Sequence, residues 1–468
     1  MILPQAFEKR MQALLGQDYD AFYQALQSDA VKGLRVNTNK ISVESFTENA
    51  PFPLKPIPYV KGGFIVSEEV QAGKHPYHQA GVYYLQDPGA MATVAALPQE
   101  IWKQSGLRVL DLCAAPGGKT TQLAASCAEL DGVVLANEYN AARSRILAAN
   151  VERMGLTNVC VTNADSEGIA DQYDSFFDIV VVDAPCSGEG MFRKADIAIS
   201  EWSEENVAMC AARQSEILEN AARCVTSGGY LLYSTCTYAT EENEQVVASF
   251  LCAHSDFSLI PCDPAVVAHT ANGIVGWDAR GNDLALCRRF YPHVSSGEGQ
   301  FLALMCRDGE RTGHPSKERE TQVSLPKALR ETAQAFLRET LERAVEPLLL
   351  RHGYICTLPA LLNNEMPIPA HTVALGTPIG EERKGRIVPH HHFFMSFGAA
   401  CRSQLILDLE DGRLAKYLAG EEIDIPTDYK GYTAVLIRCG NEMVSIGGGK
   451  AGGGKLKNYY PKGLRIHY

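Results

Sequence analysis

The sequence predicts an α/β fold with a doubly wound sheet at its centre. From residue 107 onward, apolar segments typical of buried strands alternate with helical patterns, and a Pro-Gly-Gly turn separates the first strand from its helix. This alternation indicates consecutive strand–helix units. Ligands of such sheets bind at the carboxyl ends of the strands, so we expect a functional site there. The predicted strands are 107–112, 132–137, 158–162, 178–183 and 230–235, and the predicted helices are 118–128, 140–154, 205–225 and 240–252.

Length and composition limit the class of protein. The 468 residues have room for two to four domains, and 46% hydrophobic with 21% charged residues is ordinary for a globular chain. No apolar run approaches the roughly 18 residues of a membrane span, and the N-terminus lacks a signal layout, so we expect a cytoplasmic protein without a membrane partner. Fourteen cysteines without a Cys-x-x-Cys pair favour neither a metal site nor a disulfide scaffold.

Patterns outside the sheet predict four domains. The N-terminal module, 1–91, contains a predicted amphipathic helix at 4–16 and a predicted strand at 34–39. A polar linker precedes a predicted helix at 327–345, and the last stretch, from Ile423, is strand-like and basic. The predicted boundaries are 1–91, 92–307 for the sheet domain, 308–395 for the linker and an intermediate module, and 396–468 for the C-terminal domain.

The glycine turn after the first predicted strand has three interpretations. Backbone N–H groups and a helix N-terminus face a ligand there, so the turn fits the nucleoside cofactor S-adenosylmethionine. A P-loop for nucleotide phosphates is the second interpretation, since Gly-Lys-Thr is present and Asp183 ends a Walker-B-like strand, although Cys113 stands at the first glycine position and Pro116 stiffens the loop. A plain strand–helix turn is the third.

Two acidic residues follow the next strands. Glu138 is placed to accept both ribose hydroxyls of a nucleoside, as the acid of dinucleotide folds does. Asp165 could accept from an adenine amine or could simply cap a helix. A solvated surface acid is the alternative for Glu138.

Two cysteines are predicted at the ends of neighbouring strands. Cys186 lies in Asp183-Ala-Pro-Cys-Ser-Gly, and Cys236 lies in Ser-Thr-Cys-Thr. A thiolate that adds to carbon 6 of cytosine makes carbon 5 nucleophilic toward a methyl sulfonium, which requires a thiolate, an acid at N3 and a methyl donor. The positions allow either cysteine to attack, and either could instead be a packing residue.

Two further features have weaker functional interpretations. His390, His391 and His392 are adjacent, but neighbouring side chains diverge and no second ligand cluster is evident, so we expect no metal. The net charge of −12 argues against electrostatic binding of nucleic acid by the whole surface. The C-terminal end has no acid after Glu442 and predicts either a local RNA-phosphate surface or a solvated edge; its cations are Lys450, Lys455, Lys457, Lys462 and Arg465.

Three motifs, in order, resemble the Sun/Fmu family of RNA cytosine-5 methyltransferases. They are Asp-Leu-Cys-Ala-Ala-Pro-Gly-Gly-Lys-Thr at 111–120, Asp-Ala-Pro-Cys-Ser-Gly at 183–188 and Ser-Thr-Cys-Thr-Tyr at 234–238. Within the family, the chain is most similar to the bacterial RsmF-type group that acts on 16S rRNA. Supporting stretches lie at 34–38, 83–88 and 289–293, and 453–465 resembles the PUA-like RNA-binding end of that group.

The resemblance implies a Rossmann-like S-adenosylmethionine-dependent methyltransferase domain between an N-terminal RNA-binding module and a C-terminal PUA-like domain. It also implies rRNA or the small ribosomal subunit as partner, and a monomer. Cys236 would be the nucleophile, Cys186 would assist product release, and Asp183 would contact cofactor and target base. Gln300 stands where the family has His. The implied cofactor-binding residues are Cys113, Ala114, Ala115, Pro116, Gly117, Gly118, Lys119, Glu138, Arg143, Asp165 and Asp183.

Two other functions compete with this hypothesis. A P-loop NTPase would use the same glycine turn for phosphates, and a non-catalytic RNA-binding assembly factor would use only the basic end and the flanking modules.

Overall fold

The N-terminal region forms a small antiparallel sheet in the order β2-β3-β1-β4. The computed structural model describes residues 1–310, 325–346, 349–359, 361–362 and 366–466. The helix predicted at 4–16 is confirmed, whereas the strand predicted at 34–39 starts earlier and ends at Val36. The elements are α1 (Gln5–Leu15), α2 (Tyr19–Gln27), β1 (Lys32–Val36), α3 (Val43–Glu48), β2 (Lys55–Pro56), β3 (Gly63–Val66), α4 (Pro76–Gln79), β4 (Tyr83–Leu85) and α5 (Pro88–Ala95).

A ten-stranded sheet forms the centre of the structure, in the order β11-β12-β13-β9-β8-β5-β6-β7-β16, with β10 paired to β13. Strands β5 to β9 pair in parallel, and β11 to β13 add antiparallel pairs at one side. The predicted α/β fold is confirmed. The elements are β5 (Arg108–Asp111), α6 (Gly118–Cys127), β6 (Val133–Asn137), α7 (Ala141–Met154), β7 (Val159–Thr162), α8 (Ser166–Gln172), β8 (Phe177–Asp183), α9 (Asp196–Ser200), α10 (Glu204–Cys224), β9 (Val225–Thr235), α11 (Glu244–Ala253), β10 (Phe257–Leu259), α12 (Pro264–Val267), β11 (Ala271–Asn272), β12 (Arg288–Phe290) and β13 (Gln300–Arg307).

Both faces of the parallel strands are buried, which explains their continuous apolar sequences. Leu110 and Val180 belong to the core on one face, and Val109 and Val181 belong to the core on the other. Because successive side chains of a strand point to opposite faces, a strand covered by helices on both sides needs an apolar residue at every position. No helix among the described residues is long and apolar enough to cross a membrane.

The C-terminal part contributes a strand to the central sheet, which the sequence did not predict. β16 pairs antiparallel with β7 at the edge of that sheet, while two further sheets have the orders β14-β15-β17-β18 and β19-β21-β22-β23-β20. The helix predicted at 327–345 ends at Thr340. The elements are α13 (Lys327–Thr340), β14 (Leu349–Arg351), β15 (Tyr354–Thr357), β16 (Thr372–Leu375), β17 (Thr377–Arg383), β18 (Arg386–Pro389), α14 (His391–Phe397), β19 (Gln404–Leu407), α15 (Gly412–Leu418), β20 (Ile423–Asp424), β21 (Gly431–Cys439), β22 (Glu442–Gly452) and β23 (Lys455–Asn458).

The N-terminal sheet and the C-terminal sheet share one hydrophobic core. Leu34 and Phe46 pack in the same cluster as Leu405 and Leu456. Helices α1 and α2 pack elsewhere, against aromatic residues of the central domain. The domain boundaries inferred from sequence stay predictions. The N-terminal and C-terminal regions nevertheless pack against each other and are not separate modules.

Candidate active site

The glycine turn joins β5 to α6 below the carboxyl end of the sheet. Gly117 begins the helix with a φ of 113°, a conformation that favours glycine. The first turn of this helix holds Lys119, whose Nζ lies 2.7 Å from Oδ2 of Asp183 at the end of β8. An ion pair therefore joins the start of α6 to the end of the neighbouring strand.

Asp111, the last residue of β5, is fully buried beneath this turn. Thr120 donates a 2.6 Å hydrogen bond to its Oδ2, while its Oδ1 has no hydrogen-bond partner among the described residues. Burial raises the pKa of Asp111 to about 7. An unpartnered carboxylate oxygen in such a place is costly to the fold and is available to a donor on a ligand.

Acidic side chains line the sites expected for ribose and adenine. Oε1 of Glu138 accepts a 2.9 Å hydrogen bond from the Asn140 N–H, and its Oε2 lies 3.7 Å from Arg143. Arg143 also donates 2.8 Å to the carbonyl of Ala115, so it fastens the start of α7 to the glycine turn. The predicted residues Ala115, Glu138 and Arg143 thus lie close together in the structure.

Asp165 both caps a helix and lines a cavity. Its Oδ1 accepts a 2.8 Å hydrogen bond from the Gly168 N–H at the start of α8. The cavity, of about 760 Å³, is also lined by Tyr139 and by Pro369 to His371 of the C-terminal part. No sequence pattern predicted this wall, which is held by a 2.9 Å hydrogen bond from the Asn163 N–H to the His371 carbonyl.

Cys186 and Cys236 face each other with their sulfur atoms 3.2 Å apart. They lie just beyond the ends of β8 and β9, which pair in parallel. The hydrogen bond to Cys236, together with burial, raises the pKa of Cys186 well above the ordinary thiol value. Either sulfur could be the donor in this contact.

The ion pair and the cysteines belong to one site. Asp183 accepts a 2.8 Å hydrogen bond from Ser234, which lies two residues before Cys236, while its other oxygen contacts Lys119. Asp183 itself lies three residues before Cys186. Both oxygens of this carboxylate are thus held, one from the end of β9 and the other from the first turn of α6.

A buried carboxylate that sequence reasoning missed supports the cysteine loop. Glu242 accepts hydrogen bonds from the Ser187 N–H at 2.9 Å and from Gln214 at 2.8 Å, and also from the Ser187 hydroxyl. The Gly190 N–H donates 2.8 Å to the Cys236 carbonyl, which ties the two cysteine loops together. Glu242 lies six residues after Cys236 but outside the three motifs, so the motifs themselves did not identify it.

The remaining predicted candidates do not join this site. His390 caps α14, and the ring of His392 bonds the Leu156 carbonyl at 3.0 Å. Among the described residues, no group of three or more His, Cys, Asp or Glu side chains could hold a metal ion. At the basic end, Lys455 pairs with Glu422 at 3.0 Å. Gln300 is buried at the start of β13.

Three family models match the chain. The model described as 16S rRNA methyltransferase RsmB/F matches residues 100–306, the N-terminal domain of 16S rRNA methyltransferase RsmF matches 3–88, and the methyltransferase RsmF PUA domain matches 404–466.

Relatives in several bacteria align with most of the chain. Ribosomal RNA small subunit methyltransferase F of Erwinia tasmaniensis is 30% identical over 99% of this chain and 97% of its own length. The protein of the same name from Vibrio parahaemolyticus is 31% identical over the same shares of the two chains. The one from Serratia proteamaculans is 36% identical over 65% of this chain and 63% of its own length.

Solved structures resemble the central part. A methyltransferase homolog protein from Pyrococcus horikoshii is 28% identical with a TM-score of 0.56, covering 65% of this chain and 95% of that chain. NSun6 from the same organism, crystallised with SFG, has a TM-score of 0.54 over 66% of this chain and 99% of that one; at 20% identity it shows the fold alone.

Proposed function

The chain belongs to the 16S rRNA methyltransferase RsmB/F family. From this membership and the site geometry, we propose that it methylates carbon 5 of a cytosine in small-subunit rRNA, with S-adenosylmethionine as donor and a covalent cysteine adduct as intermediate. The observation that carries the proposal is the pair of sulfur atoms 3.2 Å apart beside the Asp183–Lys119 ion pair. The monomeric state stays a prediction.

The residues around the glycine turn fit the cofactor. The unpartnered Oδ1 of Asp111 is an acceptor for an ammonium group, and the carboxylate of Glu138 is an acceptor for ribose hydroxyls. The cavity beside Asp165, of about 760 Å³, falls within the roughly 300–1,000 Å³ of small-ligand pockets. It is therefore wide enough for a purine. When bound, S-adenosylmethionine supplies an electrophilic methyl group.

We assign the attack to Cys236. The pKa of Cys186 is raised, so we infer that this thiol keeps its proton and, across the 3.2 Å contact, stabilises negative charge on Cys236. The Cys236 thiolate adds to carbon 6 of the cytosine, and N3 takes a proton from solvent that it returns when the bond to sulfur breaks. Carbon 5 thereby gains the electron density needed to accept the methyl group.

Asp183 and Lys119 orient the base during this step. A carboxylate held at both oxygens presents a fixed edge to N3 and the exocyclic amine of a flipped cytosine. After methyl transfer, a base removes the proton from carbon 5, and the bond between carbon 6 and the sulfur breaks.

Cys186 assists that last step through the same hydrogen bond. The sulfur leaves carbon 6 as a thiolate, and the Cys186 S–H is placed to donate to it as the charge returns. The two cysteines therefore have different roles. Cys236 forms and breaks the bond to carbon 6, and Cys186 stabilises the negative charge on the Cys236 sulfur.

Methyl transfer by cysteine variants tests the proposal. With labelled S-adenosylmethionine and 16S RNA, Cys236→Ala should transfer no methyl group, whereas Cys186→Ala should accumulate an RNA–protein adduct that survives a denaturing gel. The exposed Cys252 offers a matched control, and Cys252→Ala should behave as wild type. Full activity of Cys236→Ala would reject the assigned nucleophile, and absence of the adduct in Cys186→Ala would reject its release role.

Calorimetry and cell phenotypes test the competing functions. Titration with S-adenosylmethionine and with ATP–magnesium separates the methyltransferase from a P-loop NTPase, which would bind only the second. A non-catalytic assembly factor would keep its ribosome phenotype when both cysteines are replaced.

A further inference from the structure

A second cavity, on the N-terminal sheet, lies outside the site described above. We propose that it binds the RNA nucleotide next to the target cytosine, after that nucleotide has left the base stack; this inference rests on the proposed function. The cavity measures about 510 Å³, within the roughly 300–1,000 Å³ of small-ligand pockets. Its walls come from β1, β3, β4 and the segment between β3 and α4.

The cavity reaches the cofactor turn through Gln86. This side chain lines the cavity, and a Cβ added to Gly118 would lie 3.1 Å from its Cδ, so Gln86 packs directly on the glycine turn. Arg35 strengthens the connection, since its Nη2 donates 3.2 Å to the Gly118 carbonyl. One residue therefore separates the cavity from the cofactor side of the active site.

The cavity also reaches the cysteine side of the site. Lys194 lines it, and the same segment begins at Gly190, whose N–H bonds the Cys236 carbonyl at 2.8 Å. The cavity is thus linked to the glycine turn through Gln86 and, through the segment of Lys194, to the loop of Cys236. We infer that an RNA strand that delivers one base to Cys236 can place its neighbouring nucleotide here.

The chemistry of the walls suits a nucleotide. Val66, Val70 and Leu85 give apolar surfaces on which a base can pack. The Nε2 of Gln86 has no hydrogen-bond partner among the described residues, so turning this amide toward a base edge costs that nitrogen no bond within the protein.

The charge at the rim suits a phosphate. The lining includes three lysines and one acid, and that acid, Asp87, is held by Lys194 at 2.8 Å. Lys194 also lies 3.9 Å from Glu298. Lys32, whose Nζ donates 2.6 Å to the Glu68 carbonyl, and Lys74 also line the cavity, and both are exposed. Cations beside apolar surfaces are the arrangement used for single-stranded nucleic acid.

A combined protein and RNA substitution tests the proposal. The protein change is Val70→Trp, which fills the cavity, and the RNA change removes the base on either side of the methylated cytosine. For wild type, one of the two abasic RNAs should lower kcat/KM about tenfold, as base packing predicts. Val70→Trp should lower kcat/KM by a similar factor on intact RNA and should show no further loss with that abasic RNA. Its affinity for S-adenosylmethionine should not change.

Controls separate this inference from the proposed function. Lys74→Glu, at the rim, should raise KM for RNA severalfold, whereas Lys61→Glu, exposed on the same module and outside the cavity, should not. Lys74→Glu also provides the test if Val70→Trp does not fold. A wild-type enzyme insensitive to both abasic RNAs, or independent losses from the two changes, would overturn the inference alone. Absence of methyl transfer by wild type would overturn the proposed function instead.

Discussion

Replacing Asp111 by Asn should stabilise the protein while weakening its cofactor binding. The carboxylate is fully buried, one of its oxygens has no partner among the described residues, and the other is held by Thr120 at 2.6 Å. Asn keeps the shape of this side chain without its charge, so the substitution removes the cost of ionising a buried group. The same change removes the charged acceptor that, in our proposal, binds the ammonium group of S-adenosylmethionine.

The size of the stabilisation follows from the pKa. Burial raises the pKa of Asp111 from 3.8 to about 7. Between these values the folded protein binds a proton that the unfolded chain has already lost, so wild-type stability falls as the pH rises through this window. At about 1.4 kcal/mol for each unit, ionised Asp111 costs at most about 4 kcal/mol above pH 7. The advantage of Asp111→Asn should therefore grow from pH 4 to pH 7 and then level off.

Urea unfolding at several pH values, together with calorimetric titration of S-adenosylmethionine, measures both effects. Loss of a charge-assisted hydrogen bond of about 1.5–3 kcal/mol should weaken binding by roughly 10- to 150-fold. The exposed Asp428 provides a control, and Asp428→Asn should show neither effect. The reasoning fails if Asp111→Asn is less stable than wild type at pH 8, if its advantage does not depend on pH, or if it binds the cofactor normally.

Three further changes have expected outcomes. Arg289→Met strands the buried carboxylate of Glu244 and should cost about 3–5 kcal/mol of stability in urea unfolding, with partial recovery when Glu244 is also made apolar. Ser234→Ala removes one of two contacts that hold Asp183 and should lower kcat for methyl transfer several-fold, with unchanged RNA affinity by filter binding. Replacing 369–371 by three glycines removes the side chains on one wall of the cavity beside Asp165, here called the adenine-side cavity because we propose that it holds the purine. This change should weaken S-adenosylmethionine binding in calorimetry while the melting temperature changes little.

The central sheet could be predicted because its information is local. The parallel strands have largely apolar interiors, since both of their faces are covered, and each helix that follows has its own periodic pattern. β16 lacked such a signal. It is a short strand at the sheet edge, more than two hundred residues after β7, and only the tertiary pairing with β7 identifies it.

The sequence positions of the candidate site residues could be predicted, but the distances and contacts between their side chains could not. Strand ends brought Glu138, Asp183 and Cys236 to one edge of the sheet, as the topology rule requires. The 3.2 Å distance between Cys186 and Cys236 depends on loops held by Glu242, which has no motif of its own. Sequence spacing therefore left the roles of the two cysteines open.

The candidate active site is built from three parts of the chain: the central domain, the N-terminal sheet and the C-terminal region. Arg35 of the N-terminal sheet donates 2.7 Å to Thr121 of α6, and Tyr84 donates 3.3 Å to the Pro116 carbonyl in the glycine turn. From the other side, 369–371 line the adenine-side cavity. The N-terminal and C-terminal sheets also share a core, so the two flanking regions are packed against each other. The flanking regions are thus part of the site's construction, and a fragment limited to 92–307 would lack residues that hold the turn in place.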